Sequence, residues 1–434
     1  MLDLTAILTA RNAAGTLGAL LDHLEGLGAR TVVIDHGSDD ATWSIAAARR
    51  GRPVTELLYE PFTGVFDLTR QLRLKHDILQ SIRTRWILHA DADEFLEPPS
   101  GTSFAALLDR HATSGAMAFD SAEFMFLPAT EDDDHDPGSF TRTMHRYVPF
   151  EEKYSKQRLF RRDAPLDFWF RTGGHCVTAD PALVAPERLT LRHYLGLSLD
   201  DIRAQYLGRV FSARDRAKHW HGNRMASQRY DIVPPDPAIL RDLRSRGLCP
   251  SDPVGEIPVF ARRPEGPAAA PDASGPLPDL TVAGVDAEAV GLIAETLRAI
   301  EPTLRISVHG ADPADVRWLG RTPLLHVLRD PRGLPAPGGG AEALRARASD
   351  WLRGVAQIRQ AAVMWAPPYA EWRIEDGSDP ARLLAVSEAL RTGRTPPLAL
   401  GLPRHSAIAT APADSADLPL RRIAGSMMRQ LGYL

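Results

Sequence analysis

Cysteine and lysine are both scarce in this chain. Its two cysteines, Cys176 and Cys249, lie far apart with no CxxC spacing, which excludes a disulfide framework and a thiolate metal site and leaves two reduced thiols. Lysine occurs only at Lys75, Lys153, Lys156 and Lys218, so lysine chemistry is confined to the first half. No apolar run approaches the length that spans a bilayer, and residues 1–11 carry no basic leader, so the expectation is a cytoplasmic protein without a membrane span. A surplus of positive charge is also missing. The net charge of -4 gives no concentrated basic face, and nucleic acid is not expected as a partner.

What is present is enough apolar content, 44 % of 434 residues, for two or three domains with real cores. From Leu4 to Ala90 short apolar runs alternate with longer amphipathic segments, the pattern of parallel βα units and an α/β fold class. Residues 4–10, 31–35, 54–59 and 86–90 read as strands. Residues 16–27, 41–50 and 67–84 read as helices, the last with Leu68, Leu72, Leu79 and Ile82 on one side. After Asp35, Gly37 can take the turn and Ser38 or Asp39 can cap the next helix. Further strands are expected at 122–127, 157–160 and 189–193, a solvated loop at 131–136 and one arginine-rich helix over 198–219. Prolines cluster from Val233 to Pro278, which marks a linker. The expected division is a first domain over 1–232, a linker over 233–278, and a second, smaller α/β domain over 279–434. Its strands are expected at 280–285, 305–308 and 324–328, its helices at 341–361 and 380–392.

The stretch Trp86-Ile-Leu-His-Ala-Asp-Ala-Asp-Glu-Phe95 runs from apolar residues straight into three carboxylates. A bare D-x-D triplet is a weak signal, because it recurs from Asp132 to Asp136 in a polar run where water relieves the repulsion. Asp91 and Asp93 instead follow a strand that should be buried, where carboxylates need a counter-charge. Mn²⁺ or Mg²⁺ bridging a diphosphate supplies one; a capped turn with Asp93 and Glu94 exposed is the other reading. In a doubly wound sheet ligands bind beyond the carboxyl ends of the strands, and Asp35 and Asp91 both fall at such ends.

Residues 4–16 with Thr9-Ala-Arg-Asn12, then Val33-Ile-Asp-His-Gly-Ser-Asp-Asp-Ala-Thr42, then His89-Ala-Asp-Ala-Asp-Glu-Phe95 resemble the three nucleotide-sugar motifs of family 2 glycosyltransferases. The likeness runs over residues 1–220, where Lys156-Gln-Arg-Leu-Phe160, Gly173-Gly-His175 and Arg192-His-Tyr194 resemble a subgroup with a D-x-D-E-F motif. It implies a GT-A, Rossmann-like domain that moves a hexose, with inversion, from a nucleotide sugar to a glycan or polysaccharide, with a UDP-sugar as donor and Mn²⁺ or Mg²⁺ as cofactor. It further implies that Ala10, Asn12 and Asp35 line the nucleotide pocket, that Asp91 faces ribose and metal, and that Asp93 coordinates the metal. His175 is the first candidate for a later metal or diphosphate contact, and His193 the second. The chain has His36 where the family usually shows Asn. Lys156, Arg158 and Arg161 form a basic cluster suited to phosphate or an anionic acceptor, or equally to a solvated strand edge. An inverting transfer needs a carboxylate base; Glu151, Glu152 and Asp167 are in range, and Asp167 is carried forward.

In the second half, Leu324-Leu-His-Val-Leu-Arg-Asp-Pro-Arg-Gly333 resembles the strand and loop with which sulfotransferases hold the 3'-phosphate of their donor. Trp372-Arg-Ile-Glu-Asp-Gly-Ser-Asp-Pro-Ala-Arg-Leu-Leu384 and Leu431-Gly-Tyr-Leu434 are similar to further segments of those P-loop-like enzymes. A phosphosulfate needs backbone donors and a basic side chain after the first strand. Gly284-Val-Asp-Ala-Glu-Ala-Val290 offers two acids there, and the position of the family's serine falls near Pro337. The resemblance therefore implies a degenerate sulfotransferase-like domain, with Arg329 and Arg332 as remnants of an anion site. A carbohydrate sulfotransferase and a non-catalytic carbohydrate-binding scaffold are the alternatives. A nucleotidyltransferase would need a basic, Gly-rich loop after strand one, which Thr9-Ala-Arg-Asn-Ala-Ala-Gly15 lacks.

Overall fold

The computed structural model describes residues 2–151, 155–220, 230–263, 278–310, 322–334, 340–365, 367–377, 379–393, 418–431 and 433. Glu152, the proline-rich 264–277 stretch and Pro337 lie outside the described residues. The chain forms two compact units, Met1–Phe62 with Asp67–Ile202 and Ile232–Ala261, and Thr63–Phe66 with Arg203–Asp231 and Arg262–Leu434. Each is α/β.

The first unit begins as β1 (Leu4–Ala10), α1 (Leu17–Leu27), β2 (Arg30–Asp35), α2 (Thr42–Ala47), β3 (Val54–Tyr59), α3 (Leu68–Ser81) and β4 (Trp86–Asp91). The four strands are parallel, in the spatial order β3-β2-β1-β4. Their near-continuous apolar runs suit a sheet covered on both faces: every residue of β1 except Thr9 is buried. α1 buries Leu17, Leu20, Leu21 and Leu24. α3 starts where the Asp67 carboxylate accepts from the Arg70 N–H at 2.9 Å, and its buried stripe is Thr69, Leu72, Lys75, Ile78 and Leu79.

The chain continues through β5 (Glu94–Glu97), α4 (Phe104–Arg110), β6 (Ala118–Phe119), β7 (Ser121–Phe126), α5 (Phe140–Thr143), β8 (Arg146–Phe150), β9 (Leu159–Arg161), α6 (Asp167–Arg171) and β10 (Leu189–Tyr194). After α7 (Leu199–Tyr206) and α8 (Ala213–Ala217) come β11 (Tyr230–Ile232), β12 (Arg241–Asp242), α9 (Leu243–Arg246) and β13 (Phe260–Arg262). Antiparallel β9 and β6 extend the first sheet beyond β4. A second sheet has the order β12-β8-β7-β10-β5. The residues between β4 and β5 are only Ala92 and Asp93, so the chain crosses from one sheet to the other within the three-acid stretch Asp91–Glu94.

Two expectations change. The single helix over 198–219 is α7 and α8, because Ser212 accepts from the Asp215 N–H at 3.1 Å and starts a new helix. Residues 233–261 of the stretch read as a linker cluster with the first unit: Val259 is buried, and the Val233 N–H donates to its carbonyl at 3.0 Å.

The second unit holds β14 (Leu280–Gly284), α10 (Ala287–Ile300), β15 (Ile306–His309), β16 (Leu324–Leu328), α11 (Ala341–Trp365), β17 (Tyr369–Arg373), α12 (Pro380–Arg391) and α13 (Leu418–Gln430). Its sheet is wholly parallel, in the order β15-β14-β16-β17. β17 was not foreseen from the sequence, because its Glu371 and Arg373 break the apolar run. Glu371 is held by Arg359, one of the most buried arginines, through two bonds of 2.7 and 2.9 Å. No described helix is long and apolar enough to cross a membrane. At Gly284 a Cβ would run into the Val327 carbonyl oxygen and stand 2.8 Å from Val290 Cγ2. Gly284→Ala should therefore destabilise the second unit by about 1–3 kcal/mol, read as an earlier unfolding transition in denaturant; an unchanged midpoint would show that β14 and β16 can part freely.

Candidate functional site

The carboxyl ends of β1 and β2 are tied together through side chains. The Ala10 carbonyl accepts from the His36 N–H at 2.8 Å. Asn12, in the left-handed region at φ 50, takes its place by three bonds. Its N–H donates to Ser38 Oγ at 3.0 Å, its Oδ1 accepts from the Asp39 N–H at 2.9 Å, and its Nδ2 donates to Asp39 Oδ1 at 3.2 Å. Ser38 and Asp39, expected as helix caps, thus brace the first loop instead, and Asp40 receives the Thr42 N–H at 2.9 Å. Gly37 is required here: its φ is +58, and a Cβ would lie 2.6 Å from the Phe62 nitrogen. Arg11 stacks over the Phe62 ring at 3.6 Å and donates to the Gly37 carbonyl. Burial brings its pKa down to about 10.

Asp35 ends β2 with its side chain buried. Its Oδ2 accepts from the Ser38 N–H at 3.2 Å, while Oδ1 meets no hydrogen-bond donor among the described residues. His36 beside it meets Gln71 Nε2 through Nδ1 at 3.1 Å, and burial, with Arg11 nearby, depresses it to about 4, so the ring is neutral at pH 7.

The acids of the stretch Asp91–Glu94 are embedded in cations. Asp91, with 45 % of its side chain accessible, accepts from Arg158 Nη2 at 2.7 Å and stands 3.9 Å from Lys75 Nζ. The same Arg158 Nη2 donates to Glu94 Oε1 at 2.7 Å. Glu94 is 2 % exposed and also accepts from Lys156 Nζ at 2.9 Å. Lys156 reaches Glu123 at 2.8 Å, Glu123 holds His193 Nδ1 at 2.7 Å, and His193 Nε2 faces Asp93 Oδ2 at 3.5 Å. Four carboxylates, Asp91, Asp93, Glu94 and Glu123, meet Lys75, Lys156, Arg158 and His193.

The shifts follow from that pairing. Burial would raise the Glu94 carboxyl, but Arg158 and Lys156 outweigh it and bring it down to about 2. Burial also opposes ionisation of Asp91, and Arg158 with Lys75 overcomes it, holding the group well below the usual carboxylate range. Burial takes Lys75 down to about 8 against the pull of Asp91. For His193 burial works against the charge, yet Asp93 and the bond to Glu123 raise it well above its ordinary value, so it carries a proton at neutral pH.

Of the residues singled out by sequence, Asp35, Asn12 and Ala10 gather at one pair of strand ends, and Asp91 and Asp93 flank the crossing to the second sheet. Lys156 and Arg158 are not an open phosphate patch. Both are buried and bound to carboxylates, while Arg161 turns away to Asp163 at 2.7 Å. Among the described residues the three-ligand group that could hold a metal ion is Glu94, Glu123 and His193, without His175. The His175 carbonyl accepts from the Gln157 N–H at 2.7 Å. Asp167 is exposed in the first turn of α6, the helix whose Trp169 packs edge-on to His89 at 5.2 Å. Glu151 is likewise exposed. In the second unit Arg329 pairs with Asp286, and Arg332 with Asp330 and the Tyr433 carbonyl. Sequence reasoning missed Lys75 and Glu123. Lys75 had a signal, since it interrupts the leucine stripe of α3.

No family model and no curated protein matches this chain. Among solved structures, TarS 1–349 of S. aureus aligns at 14 % identity over 52 % of this chain and 70 % of that one, with a TM-score of 0.26. TarS 1–349 in complex with UDP aligns at 13 % identity over 51 % and 74 %, also with a TM-score of 0.26. The glycosyltransferase GlyE of Streptococcus pneumoniae TIGR4 aligns at 9 % over 74 % and 90 %, with a TM-score of 0.20. These scores lie below the level from which function follows, so the functional reading rests on the site.

Glu94→Gln should cost about 3–5 kcal/mol of stability at pH 7, because it leaves Lys156 and Arg158 short of a buried counter-charge. The folded pKa of about 2 lies below the ordinary 4.5. The stabilisation is therefore complete above pH 4.5 and is lost as pH falls towards 2. Denaturant unfolding of both proteins from pH 7 to pH 3 should show the difference shrinking with acid; a constant difference would contradict the pairing.

Proposed function

We propose that the first unit is a glycosyltransferase that takes a sugar from a nucleotide diphosphate, with a UDP-sugar as donor, and passes it to a glycan or polysaccharide hydroxyl. The observation that carries this reading is Asp35. A buried carboxylate oxygen without a donor is costly, and a base N–H entering at the end of β2 removes that cost. The three-bond brace from Asn12 keeps the loop around Asp35 in place. Asp91, half accessible in the same row of strand ends, is suited to accept ribose hydroxyls.

The donor set fits a hard divalent cation at Asp93 and His193, in place of His175, once the ion displaces the proton that His193 Nε2 carries in its pair with Asp93. Adjacent ligands of an octahedral ion with bonds of about 2.1 Å stand about 3 Å apart, and Asp93 Oδ2 and His193 Nε2 are 3.5 Å apart. Glu123 on the other ring nitrogen is the outer carboxylate that metal-bound histidines commonly have. When bound, Mn²⁺ or Mg²⁺ would neutralise charge on the departing diphosphate. Asp167, a solvent-facing carboxylate on α6, is assigned to take the proton of the acceptor hydroxyl in an inverting transfer. For the second unit we propose a degenerate sulfotransferase-like domain, a reading supported by Asp286 and Asp330, which already engage the two arginines of its anion site.

Calorimetry with UDP, with and without Mn²⁺, tests the reading. Wild type should bind UDP; Asp35→Ala should weaken it by about tenfold or more, an unmet buried polar contact being worth about 1–3 kcal/mol; and Asp93→Ala should lose the metal-dependent part alone. Asp167→Asn should lower kcat by about 10²–10⁴ with UDP affinity unchanged. Binding of 3'-phosphoadenosine-5'-phosphate without any binding of UDP would favour the sulfotransferase alternative.

A further inference from the structure

Of the three acids Asp91, Asp93 and Glu94, Glu94 is the one with its whole side chain buried, and base, ribose and metal leave it without a part. We propose that Glu94 is a positioning residue that sets the spacing of Asp91 and Asp93. It does so through a continuous run of alternating charge, buried in its middle and open at its two ends: Asp91, Arg158, Glu94, Lys156, Glu123, His193, Asp93. The glycosyltransferase reading enters only in naming what those two aspartates face.

Each link is short and most are enclosed. Arg158 uses one nitrogen, Nη2, to join Asp91 and Glu94, at 2.7 Å each, so displacing Glu94 moves the group that holds Asp91. Lys156 joins Glu94 and Glu123 at 2.9 and 2.8 Å with only 7 % of its side chain exposed. Glu123 then fixes the ring of His193, and His193 faces Asp93.

The elements that carry these groups cannot drift independently. Glu94 and His193 are cross-strand partners on β5 and β10. Arg158 and Lys156 enter from the segment before β9, which is paired to β4, and the Arg158 carbonyl accepts from the His89 N–H at 2.8 Å. Glu94, Glu123 and His193 bring ligand atoms within 4.8 Å of one another, a grouping that would itself attract a divalent ion. Lys156 already supplies the positive charge there. The inner group is thereby closed to metal, and the outer Asp93–His193 edge is left to bind it.

The test reads Mn²⁺ binding to the full, nucleotide-free chain by electron paramagnetic resonance, with circular dichroism on the same samples to establish folding. Wild type should bind one Mn²⁺. Folded Glu94→Gln should bind it about 10-fold more weakly, the lower end of the loss that follows removal of a direct outer partner of a metal ligand, because Glu94 acts through Lys156 and Glu123, whereas Gly284→Ala in the second unit should stay within about twofold. Lys156→Met removes the links to Glu94 and Glu123 but leaves Arg158 joined to Asp91 and Glu94, and it serves if Glu94→Gln does not fold. It should weaken the outer site or admit Mn²⁺ among Glu94, Glu123 and His193, and Lys156→Arg should restore wild-type binding. A folded Glu94→Gln or Lys156→Met with wild-type affinity and stoichiometry overturns the proposal, as does a wild type that binds no Mn²⁺. A chain that binds Mn²⁺ with this mutational pattern but no nucleotide overturns the glycosyltransferase reading alone.

Discussion

A carboxylate enclosed as completely as that of Glu94 stays ionised only if cations are brought to it, and the chain brings two. Lys156 and Arg158 lie two residues apart just before β9, and both side chains reach Glu94. Each then reaches one further acid. Removing water from so many charges is expensive, and such groups are matched by partners or not tolerated at all. The acids at the end of β4 are therefore neither a solvated turn nor an unbalanced cluster awaiting a metal. They form the outer margin of a neutralised core of charge.

That core sits where the chain passes from the first sheet, at the end of parallel β4, to the mixed second sheet. Asp91 closes the first and Glu94 opens the second, with a two-residue turn between. The Asn12 brace does comparable work on the other side of β1, where it locks the loops after β1 and β2 around Asp35. The site is thus built from two stiff loop assemblies, one presenting an unmet acceptor at Asp35 and the other a pair of partly open aspartates.

Much of this could be read from the sequence, and for identifiable reasons. The first four strands follow from their apolar runs, and Asp35 and Asp91 from their place at the ends of those runs. The leucine stripe of α3 located the helix, yet the lysine inside that stripe was passed over, although Lys75 is one of only four lysines. Lys156 and Arg158 read locally as outward-facing basic residues, because a local pattern does not show that Glu94 and Glu123, 62 and 33 residues from Lys156, hold that lysine, or that Glu94 also holds Arg158. His193 was weighed below His175 for the same reason, since what distinguishes it is Glu123, 70 residues distant. In the second unit β17 was missed because Glu371 looks like a surface residue until Arg359 is found buried against it.

The measurement that bears most directly on this account is anomalous diffraction near the manganese edge from crystals grown with UDP and Mn²⁺. The account predicts one peak between Asp93 and His193, with Lys156 still bound to both Glu94 and Glu123. A peak among Glu94, Glu123 and His193 with Lys156 driven out would contradict it.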